Sequence, residues 1–63
     1  MIDLGEIRGC MARRRDKQKD IAVILDISDT SVNNKMTGKV PFTVEELSTL
    51  AKRYNVDINL FIK

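Results

Sequence analysis

With 63 residues, 43% hydrophobic and 32% charged, the chain has room for one small core and too much apolar content for disorder. No histidine is present and Cys10 is the single cysteine, which excludes a Cys/His metal site and an internal disulfide and removes the commonest general base. The net charge of +2 is unevenly placed: residues 8–19 hold six basic side chains against Asp16 alone, a local balance of +5 that leaves −3 elsewhere, and this suits either a polyanion-binding edge or a plain solvated loop.

The pattern predicts an all-α chain of five short helices forming a single domain over residues 1–63. Leu4, Ile7, Cys10 and Met11 recur at helical spacing, so a first helix is expected over about Asp3 to Arg14. Cys10 on that apolar face reads as a small buried hydrophobe. A second helix is expected from about Lys17 to Leu25, with Asp16 as its N-cap and Ile21, Ala22, Ile24 and Leu25 facing the core. The run Ile21–Leu25 would also suit a buried strand, but the chain has no Asn-Gly type of hairpin turn and the neighbouring segments are helical.

Asp26-Ile27-Ser28 reads as a turn, with Ser28 capping a third helix over about Asp29 to Thr37. Val32 and Met36 face inward there, while Asp29, Thr30, Ser31, Asn33, Asn34 and Thr37 mostly face out. Gly38 is placed to end that helix in a left-handed conformation. Pro41 makes Lys39 to Phe42 a loop. Thr43 and Glu46 form a capping box, flanked by Phe42 and Leu47 at the hydrophobic staple positions. The fourth helix carries Leu47, Leu50, Ala51 and Tyr54 on one face. After a break at Asn55-Val56, Asp57 is expected to cap a last short helix holding Ile58, Leu60, Phe61 and Ile62, with Leu60 and Phe61 exposed at its end. The longest apolar run, Ile21–Leu25, falls far short of the roughly 18 residues of a membrane helix, and Asp3 and Glu6 precede any basic residue, so no secretory leader is expected. A reducing, cytoplasmic setting fits the cysteine usage.

The third helix is where chemistry is expected. Ser, Thr and Asn are poor helix formers, and an ordinary surface helix would carry Glu, Lys, Gln or Arg instead. Thr30, Ser31, Asn33 and Asn34 along one side suit contact with base edges in the major groove, where Asn pairs with adenine and Ser or Thr serve as donor or acceptor. The alternative is a capping segment followed by a plain polar face.

The segment from Gln18-Lys19-Asp20-Ile21-Ala22 through Ser28 to Lys39 resembles the helix-turn-helix of phage Cro and CI repressors. The likeness is nearest to small Cro-like regulators of Gram-positive phages and integrative elements, and it extends from about Leu4 to Ile62. It implies a compact, five-helix, lambda-repressor-like DNA-binding domain whose second and third helices form the motif. It further implies a sequence-specific repressor that lays the helix 29–37 in the major groove of a double-stranded operator. Such a chain would act as a homodimer on DNA, weak or absent in free solution, with no cofactor, metal, membrane or small-molecule substrate. By the same resemblance Gln18 touches the DNA backbone and braces the recognition helix, and Ala22 allows close helix packing. Asp29, Thr30 and Ser31 read bases with Asn33 and Asn34 one turn on. Lys39 and Lys35 hold phosphates, and Lys17 and Arg15 lie near the backbone.

Three positions depart from the family pattern. Asp26 stands where Gly is usual, Asp16 where Leu is common, and Asp29 would meet phosphate repulsion unless it accepts from cytosine; its plainer role is to offset the helix dipole. Relatives tie a late Arg of the first helix to a late Glu of the third; Met11 and Met36 occupy those positions, and are expected to touch and replace the ion pair as an apolar brace. A second function class stays open, a protein-binding module such as an antirepressor gripping a partner through Leu60-Phe61-Ile62. An enzyme is disfavoured, because nothing pairs Cys10 with a base.

Overall fold

The computed structural model describes residues 1–63. Four α-helices follow one another: α1 Leu4–Arg14, α2 Gln18–Leu25, α3 Asp29–Met36 and α4 Val44–Tyr54. Helix, not strand, forms over Ile21–Leu25. The expected fifth helix is only a 3-10 turn at Ile58–Phe61. Asp57 caps it by accepting from the Asn59 amide at 2.8 Å, but four residues cannot sustain an α-helical ladder. Ile62 is already extended, where it forms an isolated antiparallel bridge with Ile2 and joins the two ends of the chain. No helix is long and apolar enough to cross a membrane.

Each helix end has an identifiable cause. Asp3 accepts from the Glu6 amide and starts α1. Arg15 stops it in the left-handed conformation at φ 57°, a stop that no Gly or Asn announces in the sequence. Asp16 does not cap α2. Lys17 takes the cap position, and the Asp20 carboxylate reaches back to the Lys17 amide at 2.8 Å. Asp16 turns instead to α4, where a guanidinium and a phenol offer stronger, charge-assisted bonds than a helix amide would. Asp26 ends α2 at φ 57°, a geometry Asp tolerates in place of the usual Gly. Ser28 caps α3 by accepting from the Ser31 amide at 3.1 Å. That helix closes at Met36, one residue earlier than expected, followed by Gly38 at φ 85°. The Thr43–Glu46 box is complete, with bonds of 3.1 and 2.8 Å, and Phe42 and Leu47 are buried on either side of it.

Thirteen residues form one buried cluster, drawn from all four helices together with Phe42 and Phe61. Ile24 and Leu25 only lean against it, because α2 ends just as they come round. Phe61, expected at the surface, is fully buried; the backbone bond from the Asp3 amide to the Phe61 carbonyl at 2.8 Å draws the 3-10 turn inward. Leu60 stays 40% exposed and Ile62 44%. Met11 and Met36 are both buried in the common cluster, yet the link between α1 and the end of α3 is not purely apolar. The Arg8 guanidinium donates to the Met36 carbonyl at 2.7 Å.

Candidate nucleic-acid interface

Helix α3 lies chiefly against α2, with the Asp26–Ser28 turn between them. Ile21 and Ala22 from α2 and Val32 and Met36 from α3 are buried, and the small Ala22 side chain leaves the two helices room to approach. The opposite side of α3 is therefore free. Asp29, Thr30, Asn33 and Thr37 are exposed there, while Ser31 and Asn34 are half-buried.

These side chains are not equivalent. The Ser31 hydroxyl accepts from the Ser28 hydroxyl at 3.0 Å and is part of the cap. The Thr37 hydroxyl donates to the Asn33 carbonyl at 2.9 Å. The Asn34 backbone carbonyl gathers the Lys39 and Val40 amides at 2.9 and 3.1 Å and secures the turn after α3, while its half-buried side-chain amide makes no bond of its own. Thr30 and Asn33 keep their side-chain donors and acceptors for solvent or a ligand. Asp29, exposed in the first turn, sits where a carboxylate offsets the helix dipole.

Around α3 the charges divide into free and committed groups. Lys17 and Gln18 are exposed at the start of α2, Lys19 one residue on, and Lys39 past the end of α3; none of the three lysines is in an ion pair. Arg15 is exposed as well. Lys35 differs from expectation: its ammonium donates to Glu46 Oε1 at 2.7 Å and to the Pro41 carbonyl at 3.4 Å, and lies 5.9 Å from the Phe42 ring centre. The side chain is only 11% exposed, because the α4 carboxylate at 15% exposure is the nearest place for its charge once the stem packs over Phe42. Burial alone would raise the Glu46 carboxyl, but the Lys35 ammonium and the Thr43 amide outweigh it and hold it below the ordinary value.

Asp16 is the one acid in the basic stretch, and its charge is spent internally. Arg53 donates to it through two nitrogens at 3.0 and 3.3 Å and Tyr54 through its hydroxyl at 2.7 Å. The Arg53 guanidinium first, and the Tyr54 hydroxyl after it, hold the Asp16 carboxyl below its usual range. Burial, with the Asp16 bond behind it, pushes the Tyr54 hydroxyl up. The tie of Glu46 to Lys35 and the bonds of Arg8, Arg53 and Tyr54 were not legible in the sequence, since each depends on a partner at least 11 residues away.

A protein-family model described as the BetR domain matches residues 6–62. No curated protein and no solved structure matches the chain.

Proposed function

The chain belongs to the BetR domain family, and on that footing we propose that it binds double-stranded DNA sequence-specifically as a Cro/CI-like transcriptional regulator. In this reading α2, the Asp26–Ser28 turn and α3 form a helix-turn-helix, and α3 lies in the major groove. The observation that carries it is the free face of α3, where Thr30 and Asn33 present unused polar atoms on a helix that their own propensities disfavour. Asn34 and Ser31 reach bases from the flank of that face. Lys17, Gln18 and Lys39 hold phosphates around it, in a cytoplasmic protein that needs no cofactor and performs no catalysis.

Selection of bound duplexes from a random pool tests this directly. A palindromic consensus is expected, with affinity that falls steeply as salt rises. Asn33→Ala or Thr30→Ala should cost about 1–3 kcal/mol on the selected site and relax preference at one base pair, whereas Lys39→Gln should weaken all sequences alike. No enrichment, and no salt-dependent binding, would remove the reading. It would then favour the antirepressor alternative, for which the exposed Leu60 and Ile62 offer an apolar contact.

A further inference from the structure

The buried faces of α3 consist of Val32 and Met36 alone, four residues apart, and its main packing partner is α2. Apolar contacts of that kind hold a helix down but restrain its rotation and tilt weakly, since they are not directional. An eight-residue helix has little rigidity of its own. Its C-terminal end reaches the other helices through two directional side-chain ties. Arg8 of α1 donates to the Met36 carbonyl at 2.7 Å, and Lys35 donates to Glu46 of α4 at 2.7 Å.

We infer that the Lys35–Glu46 pair, acting with Arg8, is a positioning device that sets the angle at which α3 presents Thr30 and Asn33, and so sets sequence preference. This rests on the DNA-binding reading above. Lys35 is then not a phosphate contact. To serve as one it would have to leave Glu46, the Pro41 carbonyl and Phe42, and would strand a half-buried carboxylate close to the DNA. A partly desolvated ion pair adds little net stability, but its geometry is demanding, which makes it suited to fixing orientation.

The two roles predict opposite signs for one substitution. Glu46→Gln keeps a group able to complete the capping box and makes the protein more positive. If Lys35 binds phosphate, that change frees it and tightens binding to every duplex. If the pair positions α3, operator binding weakens by about tenfold, the scale of one charge-assisted hydrogen bond, while binding to scrambled duplex holds or rises. Lys35→Met should likewise lose operator preference with an unchanged salt slope. A phosphate contact would instead flatten that slope by about 0.9. The exchanged pair Lys35→Glu with Glu46→Lys should regain operator preference, although no cation remains on α3 at that position.

Amide hydrogen exchange gives an arm independent of DNA. Protection over residues 33–40 should fall in Lys35→Met and return in the exchanged pair. Tighter binding by Glu46→Gln, a flattened slope in Lys35→Met, or unchanged protection in that variant would each overturn the inference. Failure of the unsubstituted protein to bind any duplex would remove the DNA reading instead, and the exchange measurement would still decide whether the pair fixes α3.

Discussion

Asp16 stands among Arg13, Arg14, Arg15, Lys17 and Lys19, where local charge suggests pairing with a sequence neighbour. Its partners are instead Arg53 and Tyr54, more than 35 residues away, and they pin the loop before α2 to the end of α4. The Asp16 side chain is 6% exposed, so neutralising it removes the ion pair to Arg53 and the charge assistance of the bond from the largely buried Tyr54 phenol. Asp16→Asn should destabilise the fold by about 1–3 kcal/mol near neutral pH, read from urea unfolding. The pH dependence has a definite sign. Because the folded state lowers the Asp16 pKa, its contribution is fully present above the unfolded value, about 3.9, and is lost as pH falls through the folded value. The gap in stability between the native chain and Asp16→Asn should therefore close in acid. A gap that persists unchanged into strong acid would show that the carboxylate charge is not what holds this loop.

At the level of single elements, four left-handed positions close the four helices or the turns after them: Arg15, Asp26, Gly38 and Asn55. Gly38 has the most positive φ, at 85°, and there glycine is required by the backbone and not by space. A Cβ at Gly38 would meet only the Leu4 Cδ1 atom, at an ordinary 3.9 Å. Gly38→Ala should thus cost about 1–2 kcal/mol from conformation alone. The melting temperature should drop by about 4–8 °C per kcal/mol in a domain of this size. An unchanged melting temperature would mean that the turn after α3 relaxes freely. Such local signals are what the sequence discloses. Ser28, Gly38 and the Thr43–Glu46 box act within three or four residues, and the expected boundaries follow them closely. The Arg15 stop was not legible because nothing in an arginine favours a left-handed turn. The apolar content of Ile58, Leu60 and Phe61 predicts a helix, whereas the chain makes one 3-10 turn and then extends at Ile62 into the bridge with Ile2, a pairing with the far end of the sequence that local pattern does not signal. The Arg8 and Lys35 ties were out of reach for a different reason: helical periodicity gives the face of a residue, not the neighbouring helix end that its long side chain can span.

For the molecule as a whole, size would constrain how it uses DNA in the proposed function. The Cα trace extends 26 × 23 × 18 Å, and one such body would cover a single stretch of major groove with one eight-residue α3. The polar face of that helix would offer few base-reading groups: Thr30 and Asn33 are exposed with uncommitted side chains, and the Asn34 amide beside them is half-buried. At about 1–3 kcal/mol for each good base contact, one protomer would discriminate poorly among genomic sites. Two protomers on half-sites about one turn, 34 Å, apart would double the readout. With side chains added at either end, a 26 Å body comes close to spanning that separation, so neighbouring protomers would touch over a small area. A small contact between rigid bodies is too weak to hold a dimer in solution, but on DNA the second protomer arrives at a high effective concentration. The expected result is a monomer in sedimentation of the free protein, two protomers on the selected palindrome, and one on a half-site duplex. Inserting half a turn of DNA between the half-sites should remove cooperative binding while leaving each half-site occupied at its own affinity. Full cooperativity after that insertion, or one protomer on the intact palindrome, would show that the chain reads its site alone.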